Sequence, residues 1–64
     1  MKVKDLIREL ERRGWRLDRI RGSHHVFVHD RGRRNIPVAL HGDEISNFKA
    51  RIILKQAESA VLDS

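Results

Sequence analysis

The sequence predicts an α+β domain of order α-β-β-β-α, a three-stranded antiparallel sheet with two helices packed on one of its faces. Apolar residues recur at helical spacing near both ends of the chain and alternate in the middle, where two Gly-containing turns interrupt them. The chain of 64 residues has room for one domain, taken as 1–64. A core this small leaves a stability on the order of a few kcal/mol.

Val3, Leu6, Ile7 and Leu10 fall at i, i+3, i+4 and i+7, so a helix is expected from about 3 to 13, with Arg8, Arg12 and Arg13 off its apolar stripe. Gly14 supplies the stop. The start lacks a good cap, because neither Val3 nor Lys4 can accept from the first free amides. Trp15 to Arg21 and the run around Val26-Phe27-Val28 form a hairpin broken at Arg21-Gly22-Ser23. After a second turn at Asp30-Arg31-Gly32-Arg33, residues Ile36, Val38 and Leu40 alternate, and Pro37 assigns this strand to a sheet edge. Ser46 caps a last helix in which Ala50, Ile53, Leu54, Ala57 and Val61 keep helical spacing, and residues 58–64 are expected to fray. If Phe27 faces the helices, strand alternation sends His25 and His29 with it. His24, Val26 and Val28 then face outward, onto a sheet surface that nothing covers.

The charge is uneven. Residues 1–34 hold eleven Lys/Arg against five Asp/Glu, whereas residues 35–64 hold three against four. A polyanion is the expected partner of the basic half, although surface charge also serves simply to keep a small protein soluble. A membrane is not an expected partner, because the basic segment has no apolar face beyond what a core needs. The absence of Cys rules out a disulfide staple, a thiolate metal site and a cysteine nucleophile. The opening residues show no signal-peptide pattern, and a cytoplasmic location is expected.

His24 and His25 are adjacent, follow Gly22-Ser23 and lie within the basic stretch. An imidazole beside a bound phosphate can take the proton from a ribose 2′-hydroxyl or give one to the leaving oxygen. Arg and Lys can stabilise charge on phosphorus, the small Gly22 allows close approach, and Ser23 can donate to a phosphate oxygen. Two neighbouring histidines are equally well explained as one buried and hydrogen-bonded and one merely exposed, and spacing alone leaves both explanations open. A metal site is disfavoured, since strand neighbours face opposite ways and no Cys or carboxylate triad completes a set. His41-Gly42-Asp43-Glu44 is taken as a connection whose acidic residues favour the N-terminal end of the second helix. Trp15, Phe27 and Phe48 are core candidates before they are stacking platforms.

Leu6-Ile7 with Leu10-Glu11, Gly14-Trp15, Gly22-Ser23-His24-His25 with Phe27 and His29, Pro37-Val38, and Glu44-Ile45 before Arg51 and Ile53-Leu54-Lys55-Gln56-Ala57 together resemble the HicA (YcfA-like) toxins. The likeness runs from Met1 to Ala57. It implies a fold like a double-stranded-RNA-binding domain and a type II toxin that cleaves mRNA as an endoribonuclease. It also implies a HicB-type antitoxin partner, with the toxin a monomer when free and part of a hetero-oligomer when bound. By position the family's catalytic histidine falls on His24, with Gly22 and Ser23 as its supporting turn and His25 the alternative. Where many members read Pro-Lys-Gly-Thr-Leu-Arg, this chain has Ser46-Asn47-Phe48-Lys49-Ala50-Arg51, so its helix start is remade.

The expected activity is therefore metal-independent RNA cleavage needing no cofactor, with His24 as general base or acid. Lys4 and Arg8 of the first helix and Arg19 and Arg21 of the first strand are expected to hold RNA beside Gly22 and Ser23. The alternatives are a non-catalytic RNA-binding module of the same fold, which would give no cut product, and a purely protein-binding partner, which would have no RNA affinity.

Overall fold

The computed structural model describes residues 1–61. Its elements are α1 (Val3–Arg12), β1 (Arg16–Arg21), β2 (His24–Val28), β3 (Ile36–Ala39) and α2 (Asn47–Val61). The strands form one antiparallel sheet in the order β1-β2-β3. Leu6 and Leu10 of α1, Phe27, Ile36 and Val38 of the sheet, and Ala50, Ala57 and Ala60 of α2 share one buried cluster, so both helices lie on the face to which Phe27 points. The predicted α-β-β-β-α architecture is the one observed.

Both ends of α1 are completed by other parts of the chain. No side chain caps it, and the Val3 N–H instead donates to the carbonyl of Asp43 at 3.0 Å. At the C-terminus the Gly14 N–H donates to Glu11 O and the Trp15 N–H to Leu10 O, both at 3.0 Å. This is the Schellman pattern, with Gly14 left-handed at φ +92° and Trp15 packed in the same core as Leu10. Ser46 caps α2 as expected, its Oγ accepting from the Lys49 N–H at 3.1 Å. Asp43 and Glu44 do not serve the start of α2, whose first turn contains no acidic residue. The Asp43 carbonyl holds α1, and Glu44 bridges to Lys2.

Two expectations are corrected by packing. Phe48 is 70 % exposed, because the α2 face that meets the sheet is made by Ala50, Ala57 and Ala60 with Ile53 and Leu54 beside them. The expected fraying from residue 58 does not describe Glu58 to Val61. α2 runs through Val61, Ala60 is fully buried, and its carbonyl accepts from the Arg33 N–H at 2.9 Å. Residues 62–64 lie outside the described region.

The sheet register sets the faces. A bulge between Leu17 and Arg19 inserts one extra residue into β1. Arg16, Arg19 and Arg21 consequently stand opposite Val28, Val26 and His24, and all six share the face away from the helices. Leu17 and Ile20 stand opposite Phe27 and His25 on the helix side, yet both remain about half exposed because the helix layer does not cover this edge. Val26 lies on the open face as expected but is buried there, flanked by Arg19 and Pro37 directly across. Just past β3 the Leu40 N–H donates inward to Ser23 O at 2.9 Å, so alternation points the Pro37 nitrogen away from β2. A proline therefore costs this edge strand no ladder bond.

Candidate functional site

The open sheet face is built around the β1–β2 turn. Arg21 pairs with His24, leaving Gly22-Ser23 as a two-residue loop. Gly22 has φ +61° while Ser23 does not have positive φ, the arrangement of a type II′ turn with glycine first. A Cβ at Gly22 would meet nothing within 4 Å, so glycine is required there by backbone conformation and not by crowding. The Ser23 carbonyl is engaged by β3 through Leu40, which fixes the turn against the third strand.

This rigid turn presents His24 as an exposed side chain with Arg21 directly across on one side and Ala39 on the other. His25 is turned toward the helices, opposite Val38, and is half-buried. Its Nδ1 is shut off from solvent and has no hydrogen-bond partner. The parity expected from Phe27 thus holds for both histidines, and of the two His24 is the one exposed on the open face.

His29 has a structural setting. The Arg31 N–H donates to its Nδ1 at 2.9 Å, so Nε2 carries the ring hydrogen and donates to Arg13 O, also at 2.9 Å. The ring meets Trp15 edge-on with centroids 5.2 Å apart. His29 thereby ties the end of α1 to the β2–β3 turn, far along the sheet from His24.

The RNA-binding candidates divide between the two sides of the sheet. Arg19 and Arg21 stand on the His24 face, and the bulge brings Arg16, which the sequence reading did not single out, into line with them. Arg16 pairs with Asp30 at 2.8 Å and Arg19 with Asp18 at 2.7 Å. The Arg16 hydrogen bond and charge hold the Asp30 carboxyl below its usual range. These are exposed pairs of small net strength, so a phosphate can compete for the guanidinium groups. Lys4 and Arg8 lie on α1, across the sheet from His24, and Arg8 pairs with Asp5 at 3.5 Å. They are not brought together with the other candidates.

His41, taken from sequence as part of a connection, lies near the His24 end of the sheet. It continues the β3 alternation, with Ile36, Val38 and Leu40 buried and Pro37, Ala39 and His41 exposed. Extending the apolar alternation one step past Leu40 would have found it. His41 also lines a shallow concavity with Ala39, Glu44, Ser46 and Lys49. Among the described residues no group of three His, Cys, Asp or Glu side chains is placed to hold a metal ion. No described helix is long and apolar enough to cross a membrane.

Fold and site define a small α+β domain whose uncovered sheet face is basic and carries an exposed histidine at the mouth of a hairpin. The family model described as "HicA toxin of bacterial toxin-antitoxin" matches residues 3–58. The chain belongs to the HicA toxin family, and so to the toxins of bacterial toxin-antitoxin systems. No curated protein and no solved structure matches it.

Proposed function

We propose that this protein is the toxin of a type II pair and cuts mRNA in the cytoplasm as a metal-independent endoribonuclease, with His24 transferring the proton. The observation that carries this reading is the contrast within the histidine pair: His24 is exposed beside Arg21 on the open face, while His25 is turned in with an unpartnered Nδ1. A phosphodiester lying on this face meets His24 and Arg21 together. One group supplies proton transfer, and the other stabilises charge developing on the phosphate. Gly22 and Ser23 line the approach, and Arg19 extends the basic track along β1. Lys4 and Arg8, on the other layer, contribute attraction at a distance rather than contact at the cleaved bond. A HicB-type antitoxin covering the open face would silence the free monomer by keeping RNA from His24, forming the hetero-oligomer expected of the family.

The test is cleavage of a defined mRNA by purified protein, by His24→Ala and by His25→Ala, with and without EDTA. Product from the parent in EDTA, and loss of about 10²–10⁴-fold in rate for a folded His24→Ala, are expected. Activity abolished by chelation and restored by one divalent ion refutes the metal-free mechanism. RNA binding with no cut product under any condition favours the non-catalytic module of the same fold. A folded, inactive His25→Ala beside an active His24→Ala moves the assignment to His25.

A further inference from the structure

We infer that His41 is a second catalytic residue, sharing the proton transfers of RNA cleavage with His24 on the diagonal beside Ala39. The inference rests on the RNA-cleavage reading and extends it.

His24 stands directly opposite Ala39 in the β2–β3 register. The ladder continues past β3, because the Leu40 N–H donates to Ser23 O at 2.9 Å. His41 is therefore the diagonal neighbour of His24, two residues beyond Ala39, a relation that places backbone positions about 7–8 Å apart and within reach of ring side chains. Burial alternates through Ile36, Val38 and Leu40, so His41 belongs to the same outward parity as Ala39 and His24. Ala39 lies at the corner beside both rings, directly across from His24 and two residues before His41, and its side chain is a single methyl group that leaves the diagonal open. A phosphate seated on that diagonal has one imidazole on each side.

The chemistry needs two such groups. In attack by the ribose 2′-oxygen, the O2′–P bond forms as the P–O5′ bond breaks, and the entering and leaving oxygens lie on opposite sides of phosphorus. The 2′-hydroxyl proton passes to one neutral imidazole, and the other, protonated, imidazole gives its proton to O5′. The products are a 2′,3′-cyclic phosphate and a 5′-hydroxyl, with no change of oxidation state and the two rings exchanged in protonation. One ring on one side of phosphorus cannot serve both oxygens in the same step. Arg21, directly across from His24, supplies positive charge beside the reacting phosphate.

The experiment compares the parent, His24→Ala and His41→Ala on an ordinary oligoribonucleotide and on the same oligonucleotide with a 5′-bridging sulfur at the cleaved bond. A thiolate leaves without being protonated, so this substrate needs the base but not the acid. Melting curves confirm folding, and His41→Gln replaces His41→Ala if the latter is unfolded. Both variants are expected to lose about 10²–10⁴-fold on the ordinary substrate. The sulfur substrate should restore one of them to near the parent rate, which identifies the acid, and leave the other slow. A folded His41 variant with parent activity on the ordinary substrate overturns the inference while leaving the His24 reading intact. So does a His41 variant that is slow when the sulfur substrate rescues neither variant, since its effect is then not proton transfer shared with His24. A parent protein that cuts neither substrate overturns the RNA-cleavage reading and this inference together.

Discussion

Gly14→Ala tests how the first helix is joined to the sheet. The backbone at Gly14 is left-handed, φ +92°, and a Cβ there would lie 2.5 Å from Nε2 of His29 and 3.0 Å from its Cδ2. The ring cannot easily retreat, because it is held by the Arg31 N–H and packed against Trp15. A left-handed conformation costs a residue with a Cβ about 1–2 kcal/mol. Losing the His29 bond to Arg13 O adds about 0.5–1.5 kcal/mol. Together the substitution should cost about 1.5–3.5 kcal/mol, and at roughly 4–8 °C per kcal/mol for a domain this size the melting temperature should fall by about 6–28 °C. Gly22→Ala provides the control, since its Cβ meets nothing and only the backbone term of about 1–2 kcal/mol applies. Thermal and urea unfolding followed by far-UV circular dichroism measure both. In a His29→Ala background the obstacle is gone, and Gly14→Ala should then cost only its backbone part. Equal losses for Gly14→Ala and Gly22→Ala, or a Gly14→Ala variant melting within a few degrees of the parent, would refute the clamp.

His25→Ala should lower stability by about 1–3 kcal/mol through a partly filled site, with cleavage falling only as folded protein is lost, measured by melting and single-turnover rates on the same samples. Arg21→Ala should weaken RNA binding and flatten its salt dependence by about one unit of log–log slope, whereas Lys4→Ala should leave the cleavage rate of bound RNA unchanged. Titrations at several salt concentrations with single-turnover rates check both, and identical behaviour of the two variants would contradict their placement on opposite layers. Glu9 is held below its ordinary 4.5, chiefly by its hydrogen bond from Arg13, and Asp30 below 3.8, chiefly by that from Arg16. Because both folded-state values are depressed, these pairs contribute stability above the ordinary values and lose it as pH falls through the folded ones. The Asp30 carboxylate is exposed and that of Glu9 is partly so, and solvent screening keeps the effect small. Glu9→Gln combined with Asp30→Asn should flatten the decline of melting temperature below about pH 4.5, and an unchanged acid limb would show that the pairs contribute nothing.

The elements and the histidine parity were legible because they depend on local rules. Helical spacing from Val3 to Leu10 must place those residues on one stripe. Gly22 must open a tight turn, and alternation from Phe27 must separate His24 from His25. The family resemblance was legible for a similar reason, resting on short motifs at fixed separations. What could not be read was anything that required knowing which parts of the chain meet. The missing cap of α1 is supplied by Asp43, forty residues from Val3, and Phe48 is exposed because small alanines face the core in its place.

By itself the sequence determined the order of elements, the edge position marked by Pro37, the uneven charge and the outward face of His24. Only tertiary structure decided which charges share that face. The bulge in β1 becomes visible only when the strand is paired with β2, and it aligns Arg16 with Arg19 and Arg21. The layering of helices over the sheet separates Lys4 and Arg8 from them, and the extension of the β3 ladder brings His41 diagonal to His24. The physical reason is that side-chain alternation is a property of one strand, whereas register is set by hydrogen bonds to another, and one extra unpaired residue reverses every face that follows it.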